Sequence, residues 1–422
     1  MVPYLVCSNI ILYSLSFQHD ENANVKVKNH GNTKSHHLGV HTRSRAVLVE
    51  LKNINSSLVS QKAPKKPEIR GPTKASKDRR QPTKTLLCLN FPGLNPEEVS
   101  TFKSYCRHRK NLRTNFLSRK DSRRFFELDD DAGLDTASVS AFAETIFNYL
   151  QNRELSFQPV RPNFLDACVE ITPRMRYILV NWLVQVHQSY KLLPETLYLC
   201  VAIMDRYIQK CGSEIRKGYF QLVGVTSLFI ASKFEEMYPP DISDFSSITD
   251  NTYNKKDIRS CEQMILQTLD FYLSIPSPIV FLRRFSRALE ADRLMHNLAK
   301  YFLELTIQEY DLACLPGNLR ATIAICLALA ICSHTSIIDD VWDEKIAYLS
   351  GYAIGDIRGP LQVLAKAVYR QNSPSKYRAI YDKYRTDDLY DKVAALPQLR
   401  SAVMEGLADL QFDEDGAEIS AT

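Results

Sequence analysis

Several kinds of chemistry are missing from this chain of 422 residues. It has no glycine-rich phosphate loop, Gly-x-Ser-x-Gly elbow, His-Glu-x-x-His pair or protein-kinase signature. The common frameworks for phosphoryl transfer, acyl transfer and metal-assisted hydrolysis are therefore absent. Ten cysteines are scattered from Cys7 to Cys332 without a Cys-x-x-Cys pair, and His187, His296 and His334 stand without cysteine or carboxylate partners at ligand spacing. That excludes a disulfide framework and a zinc site, and the thiols read as small core hydrophobes in a reducing compartment. Neither metal nor cofactor is expected. No apolar run reaches the ~18 residues of a membrane span. Ala321 to Cys332 (ATIAICLALAIC) is too short and fits a core helix. A net charge of +5 is too small to name a polyanion, so neither nucleic acid nor membrane is expected as a partner.

What the chain does have is apolar residues at helical spacing, 45% hydrophobic overall. In Arg174 to Tyr190, Met175, Ile178, Leu179, Trp182, Leu183 and Val186 recur at three- and four-residue steps. Tyr177, Val180 and Val184 fill much of the other side, and a helix apolar nearly all round is the buried rod of a helical bundle. One charge interrupts it. Arg176 either points at solvent or is buried against a carboxylate, for which Asp205 in the next helical segment is the candidate.

From Gln18 to about Pro96 the chain is polar and broken by prolines, which predicts disorder. The apolar stretch before it (MVPYLVCSNIILYSLSF) has no early Lys or Arg and no small-x-small cleavage site, so a misplaced start of the reading frame is expected rather than a secretory leader. Basic clusters at Lys62 to Lys84 and Arg107 to Arg124 read as solvated charge, or as contacts for nuclear import or nucleic acid. Phe142, Ile146 and Tyr149 predict a separate helix. From Thr172 the pattern is helix after helix. Pro194 opens one, Gly224 lets another helix cross closely, Tyr238-Pro239-Pro240 stops a third, and Asn254 caps the helix running to Leu269. Ser274 to Pro278 (SIPSP) is the internal boundary, and further helices follow over Val280 to Leu289, Leu294 to Tyr310 and Asn318 to Cys332. The expected units are a tail at 1–139, helical units at 140–275 and 276–400, and a second tail at 401–422.

The segments MRYILVNWLVQVH, PETLYLCVAIMDRYI, QLVGVTSLFIASKFEEMYPPDISDF and ITDNTY, in that order, resemble the cyclin box of a mitotic cyclin, and FLRRFSRA with ALPQLRSAV resemble the B type. The likeness spans about Ser140 to Leu410. It departs at Tyr177, where the family has a small residue, and at Asn181, where it has an aspartate. The resemblance implies an all-α fold: two tandem five-helix cyclin-box units, a preceding helix and a long disordered N-terminal tail. It implies a non-catalytic subunit in cytoplasm and nucleus, paired as a heterodimer with a mitotic cyclin-dependent kinase.

The same resemblance assigns residues. Lys233 and Glu262 match the pair that grips the kinase helix, with Phe234, Leu266, Phe271, Ile146 and Tyr149 as apolar contacts around them. On spacing alone, Lys233 would merely complement a helix dipole and Glu262 mark a wet edge. Met175, Ile178, Leu179, Trp182, Phe220 and Gln221 match an exposed groove for substrate and inhibitor peptides, although such stripes are also ordinary core. Gln185 stands where some cyclins have an acid. Arg45, Leu48 and Asn53 fit RxxLxxxxN, resembling the destruction box through which a ubiquitin ligase is recruited, with lysines nearby and no KEN sequence. Arg283, His296 and Lys300 are either three converging donors for a phosphate or scattered surface charges. A different class, a general transcription factor with paired cyclin-like folds that binds DNA, lacks its amino-terminal zinc ribbon here.

Overall fold

A computed structural model describes residues 142–156 and 160–409, and among these the regular structure is entirely helical. Helix α1 (Ala143–Ser156) stands ahead of a first box made of α2 (Pro173–Ser189), α3 (Pro194–Cys211), α4 (Phe220–Glu235), α5 (Ile242–Ile248) and α6 (Lys255–Thr268). A second box follows with α7 (Pro278–Ala288), α8 (Arg293–Gln308), the single turn α9 (Tyr310–Ala313), α10 (Gly317–Cys332), α11 (Glu344–Ser350) and α12 (Ile354–Arg370). Helix α13 (Ala379–Thr386) closes the chain back onto both boxes, and α14 (Ala402–Ala408) packs on α12 of the second.

Helix starts are set by side chains that satisfy the free N–H groups of the first turn. Thr172 accepts from the Met175 amide at 3.3 Å, Asn254 from Lys256 and Asp257 at 2.8 and 3.1 Å, and Asp292 from Met295 at 2.7 Å. Pro194 and Pro278 each lie in a first turn, where the missing N–H costs nothing. Helix α2 is enclosed by α3, α4, α8 and α13, and Leu179, Trp182, Leu183 and Val186 have no exposure. At the crossing with α4, a Cβ on Gly224 would lie 3.0 Å from both terminal carbons of Leu179, so the missing side chain sets the helix separation.

The two boxes are joined by buried charge. Arg176 donates to both oxygens of Asp205 at 2.8 and 2.7 Å, and to the carbonyls of Gln308 and Ile307 at 3.2 and 3.0 Å, where α8 ends. Four of its five N–H donors are thus satisfied inside the protein, and the carboxylate balances its charge, as a buried guanidinium requires. Glu195 of α3 pairs with Arg283 of α7, and Glu304 of α8 accepts from Lys383 at 2.6 Å and Tyr384 at 2.7 Å on α13. Burial, followed by the nearby Lys383 charge, pushes His187 down to about 4, and its Nε2 lies 2.8 Å from the Leu193 carbonyl.

The two positions that depart from the family pattern face this joint. Asn181 accepts from the Ala379 amide at 2.8 Å, and the Tyr177 hydroxyl accepts from Gln371 at 3.3 Å. Helix α1 crosses the boundary as well: Glu154 accepts from the Asn318 amide at 3.0 Å, and Gln151 donates to the Leu349 carbonyl at 3.1 Å.

Arg45, Leu48 and Asn53, the two basic clusters, the first 17 residues and the tail after residue 409 lie outside the described residues. Among the described residues, no helix is long and apolar enough to cross a membrane, and no group of three or more His, Cys, Asp or Glu is placed to hold a metal ion.

Candidate functional site

Helix α4 is buried along its length as far as Ser232, and Lys233 is where it emerges. The Lys233 ammonium lies 4.2 Å from the centre of the Phe229 ring and forms an ion pair with Glu262 on α6. Its side chain stays 41% exposed. Helix α6 turns only Ile258, Cys261 and Ile265 fully inward, which leaves Glu262, Gln263 and Met264 on its outer side. A cavity of about 560 Å³ opens beside the pair, lined among others by Phe229, Pro239, Pro240 and Arg259.

Apolar side chains border the pair. Phe234 and Leu266 are half-buried against the core. Beyond α6 the chain turns through Asp270 and Phe271 at φ 53° and 56°, and the Phe271 amide donates to the Leu266 carbonyl at 2.9 Å. A phenylalanine in left-handed backbone is uncommon and strained, and its ring stands outward from this turn, 68% exposed. Helix α1 reaches the same place. Arg153 donates to the Ser274 carbonyl at 3.3 Å and stacks over the Tyr272 ring at 5.1 Å. Tyr149, one turn earlier, is 51% exposed, while Ile146 packs inward. The structure thus brings Lys233 and Glu262 into contact and sets the other five residues on the elements around them.

Sequence reasoning passed over Met237 and Tyr238, which follow α4 at 80% and 88% exposure. The signal was there: two large apolar residues directly before Pro239 and Pro240, which bar any helix that could bury them. It also passed over Glu235, whose carboxyl is pushed up to about 7 by burial and then by the charges of Glu195 and Glu236. Glu236 is committed elsewhere, accepting from the Leu193 amide at 2.7 Å and the Thr196 hydroxyl at 2.5 Å. An exposed ion pair contributes about 0–1 kcal/mol to folding. Charged anchors among exposed aromatic and methionine side chains instead make the kind of surface that docks another protein.

Two expectations are corrected. Met175, Ile178, Leu179, Trp182, Phe220 and Gln221 do not form an exposed groove; all six are at most 5% exposed. The reason is packing: α2 is surrounded by helices, and its stripe meets α4 across Gly224. Nor are Arg283, His296 and Lys300 a free donor set. Arg283 is buried in its pair with Glu195, His296 lies 2.8 Å from the Ser286 hydroxyl, and the Lys300 ammonium stands 5.2 Å over the Tyr390 ring. All three are buried.

Comparison with known proteins agrees with this architecture. The family model described as Cyclin, N-terminal domain matches residues 145–274, and that described as Cyclin, C-terminal domain matches residues 276–399. The G2/mitotic-specific cyclin-B2 of Gallus gallus is 42% identical over 67% of this chain and 68% of its own. Those of Mesocricetus auratus and Homo sapiens are 35% and 36% identical, each over 92% of this chain and 94% of theirs. With two tandem cyclin domains and relatives that align along nearly its whole length, this chain belongs to the cyclin family, in the group of B-type mitotic cyclins.

Proposed function

We propose that this chain binds and activates a cyclin-dependent kinase at the G2-to-mitosis transition, through the face that carries Lys233 and Glu262. The observation behind this reading is an ion pair beside a cavity, its lysine exposed, on a box that also exposes Met237, Tyr238 and Phe271, with Tyr149 exposed on the preceding helix. Relatives named for G2 and mitosis suggest the timing. The chain itself supplies no reacting group. It binds the active arrangement of the kinase more tightly than the inactive one and so shifts the population. A rigid box suits that task, because a surface that does not deform keeps its preference for one partner conformation.

Removal by a ubiquitin ligase through Arg45, Leu48 and Asn53, and residence in cytoplasm and nucleus, belong to the same proposal. Peptide docking on the α2 stripe does not, because that stripe is core.

The test is a pull-down of the full chain from mitotic extract, assayed for phosphorylation of a histone-like substrate, with DNA binding measured in parallel. Co-purifying kinase activity without DNA binding is expected. DNA binding without kinase activity would overturn the proposal.

A further inference from the structure

Three times in this chain a serine or threonine precedes a proline: Thr172-Pro173, Ser277-Pro278 and Ser373-Pro374. In the first two the proline begins a helix, α2 or α7. The Thr172 oxygen caps the Met175 amide, and the Ser277 oxygen is buried. Backbone wound directly into a helix cannot lie extended across another protein's groove.

Ser373-Pro374 differs in that its proline opens no helix and its serine is exposed, in a turn where the Ser373 amide donates to the Arg370 carbonyl at 3.2 Å. It lies between α12 and α13, and Ser373, Pro374, Ser375 and Lys376 are exposed in an unbroken run. Pro374 has a fixed φ and no N–H, so α12 cannot continue through it, and the residue before a proline is biased toward extended backbone. A kinase groove that selects proline after the acceptor takes that geometry.

The same loop carries a receiver for the product. One terminal nitrogen of Arg378 donates to the Gln371 and Ser373 carbonyls at 3.3 and 3.2 Å, while its Nε is buried without a hydrogen-bond partner. A guanidinium already bound to the Ser373 backbone is placed to make charge-assisted bonds to a phosphate on that residue.

We propose that Ser373 is a phosphorylation site for a proline-directed serine/threonine kinase, and that Arg378 holds the resulting phosphate in cis. In the transfer, the Ser373 oxygen bonds to the γ-phosphorus of ATP and the bond from that phosphorus to its bridging oxygen breaks. ADP leaves with the electron pair, and the hydroxyl proton passes to the kinase's base. Any kinase of this selectivity suffices, so the inference does not depend on the partner proposed above.

The experiment treats the full chain with a purified proline-directed kinase and magnesium-ATP and maps phosphate by tandem mass spectrometry. Phosphate on Ser373, lost in Ser373→Ala and Pro374→Ala, is the expected result. No phosphate there, or labelling that survives Pro374→Ala, would overturn the site. Phosphorus NMR then titrates the phosphoserine, whose second pKa is ordinarily about 6. Arg378 should hold it below that value, and Arg378→Gln should bring it back. Equal titration in parent and Arg378→Gln would overturn the cis arginine.

Discussion

The two boxes share a helix plan but treat their surfaces differently. Of the twelve large apolar side chains that stand exposed among the described residues, nine precede residue 275 and three follow it. The buried ion pairs gather where the boxes meet and beneath the closing helices, whereas exposed pairs occur on both boxes. Arg176–Asp205, Glu195–Arg283 and Glu304–Lys383 are buried, each using a group on the second box or its closing helices or lying against one. Lys233–Glu262 sits open on the first box. Buried pairs hold elements in register, because breaking one strands an uncompensated charge. An open pair does little for folding and is available to a partner. On the proposed function, the first box carries the working face, and buried pairs tie it to the second.

The sharpest way to break that comparison is at a buried pair. Arg176→Ala would leave Asp205 buried and alone and free the carbonyls of Ile307 and Gln308. A loss of about 3–5 kcal/mol is expected, read from urea unfolding of the full chain. A loss under about 1 kcal/mol would place the pair on the surface class instead.

Next is Trp182→Ala, which opens a void in α2 at a residue with no exposure. It should cost about 3 kcal/mol or more. Near-unchanged stability, with weakened binding of an Arg-x-Leu peptide, would restore the open groove that the structure removes.

A smaller effect concerns Glu235 at the edge of the working face. Its carboxyl keeps a proton up to about 7, whereas its ordinary value is 4.5. Between those values the native state holds more protons than the unfolded chain, so stability contributed by this group is present at low pH and falls as pH rises toward 7. Glu235→Gln should remove that decline, gaining about 1–2 kcal/mol on the parent between pH 5 and pH 8. Denaturation midpoints that track together across that range would contradict it.

Much of this was readable in the sequence because it is local. A proline in a first turn, Asn254 ahead of an apolar run and a glycine inside α4 each act within a few residues. The Arg176–Asp205 pair was half readable: one charge in an apolar helix demands a partner, but spacing alone left solvent as an alternative. Non-local contacts were out of reach. Nothing near Arg283 announces Glu195, which lies 88 positions away. Nothing near Asn181 announces the amide of Ala379, 198 positions on. The α2 stripe shows a further limit, since a groove floor and a core present the same apolar periodicity, and only the surrounding helices distinguish them. Phe271 was assigned through resemblance; the left-handed turn that aims it outward has no glycine or asparagine at that residue to mark it.

The claim that the first box grips a kinase through Lys233 and Glu262 is tested most directly by calorimetry. The full chain and its Lys233→Ala, Glu262→Ala double variant would be titrated with a purified mitotic cyclin-dependent kinase, with circular dichroism confirming that both are folded. Truncating anchors at the centre of an interface costs about 2 kcal/mol or more, so binding should weaken by at least about thirtyfold while the helical spectrum stays unchanged. Equal affinity in the two folded proteins would contradict the assignment.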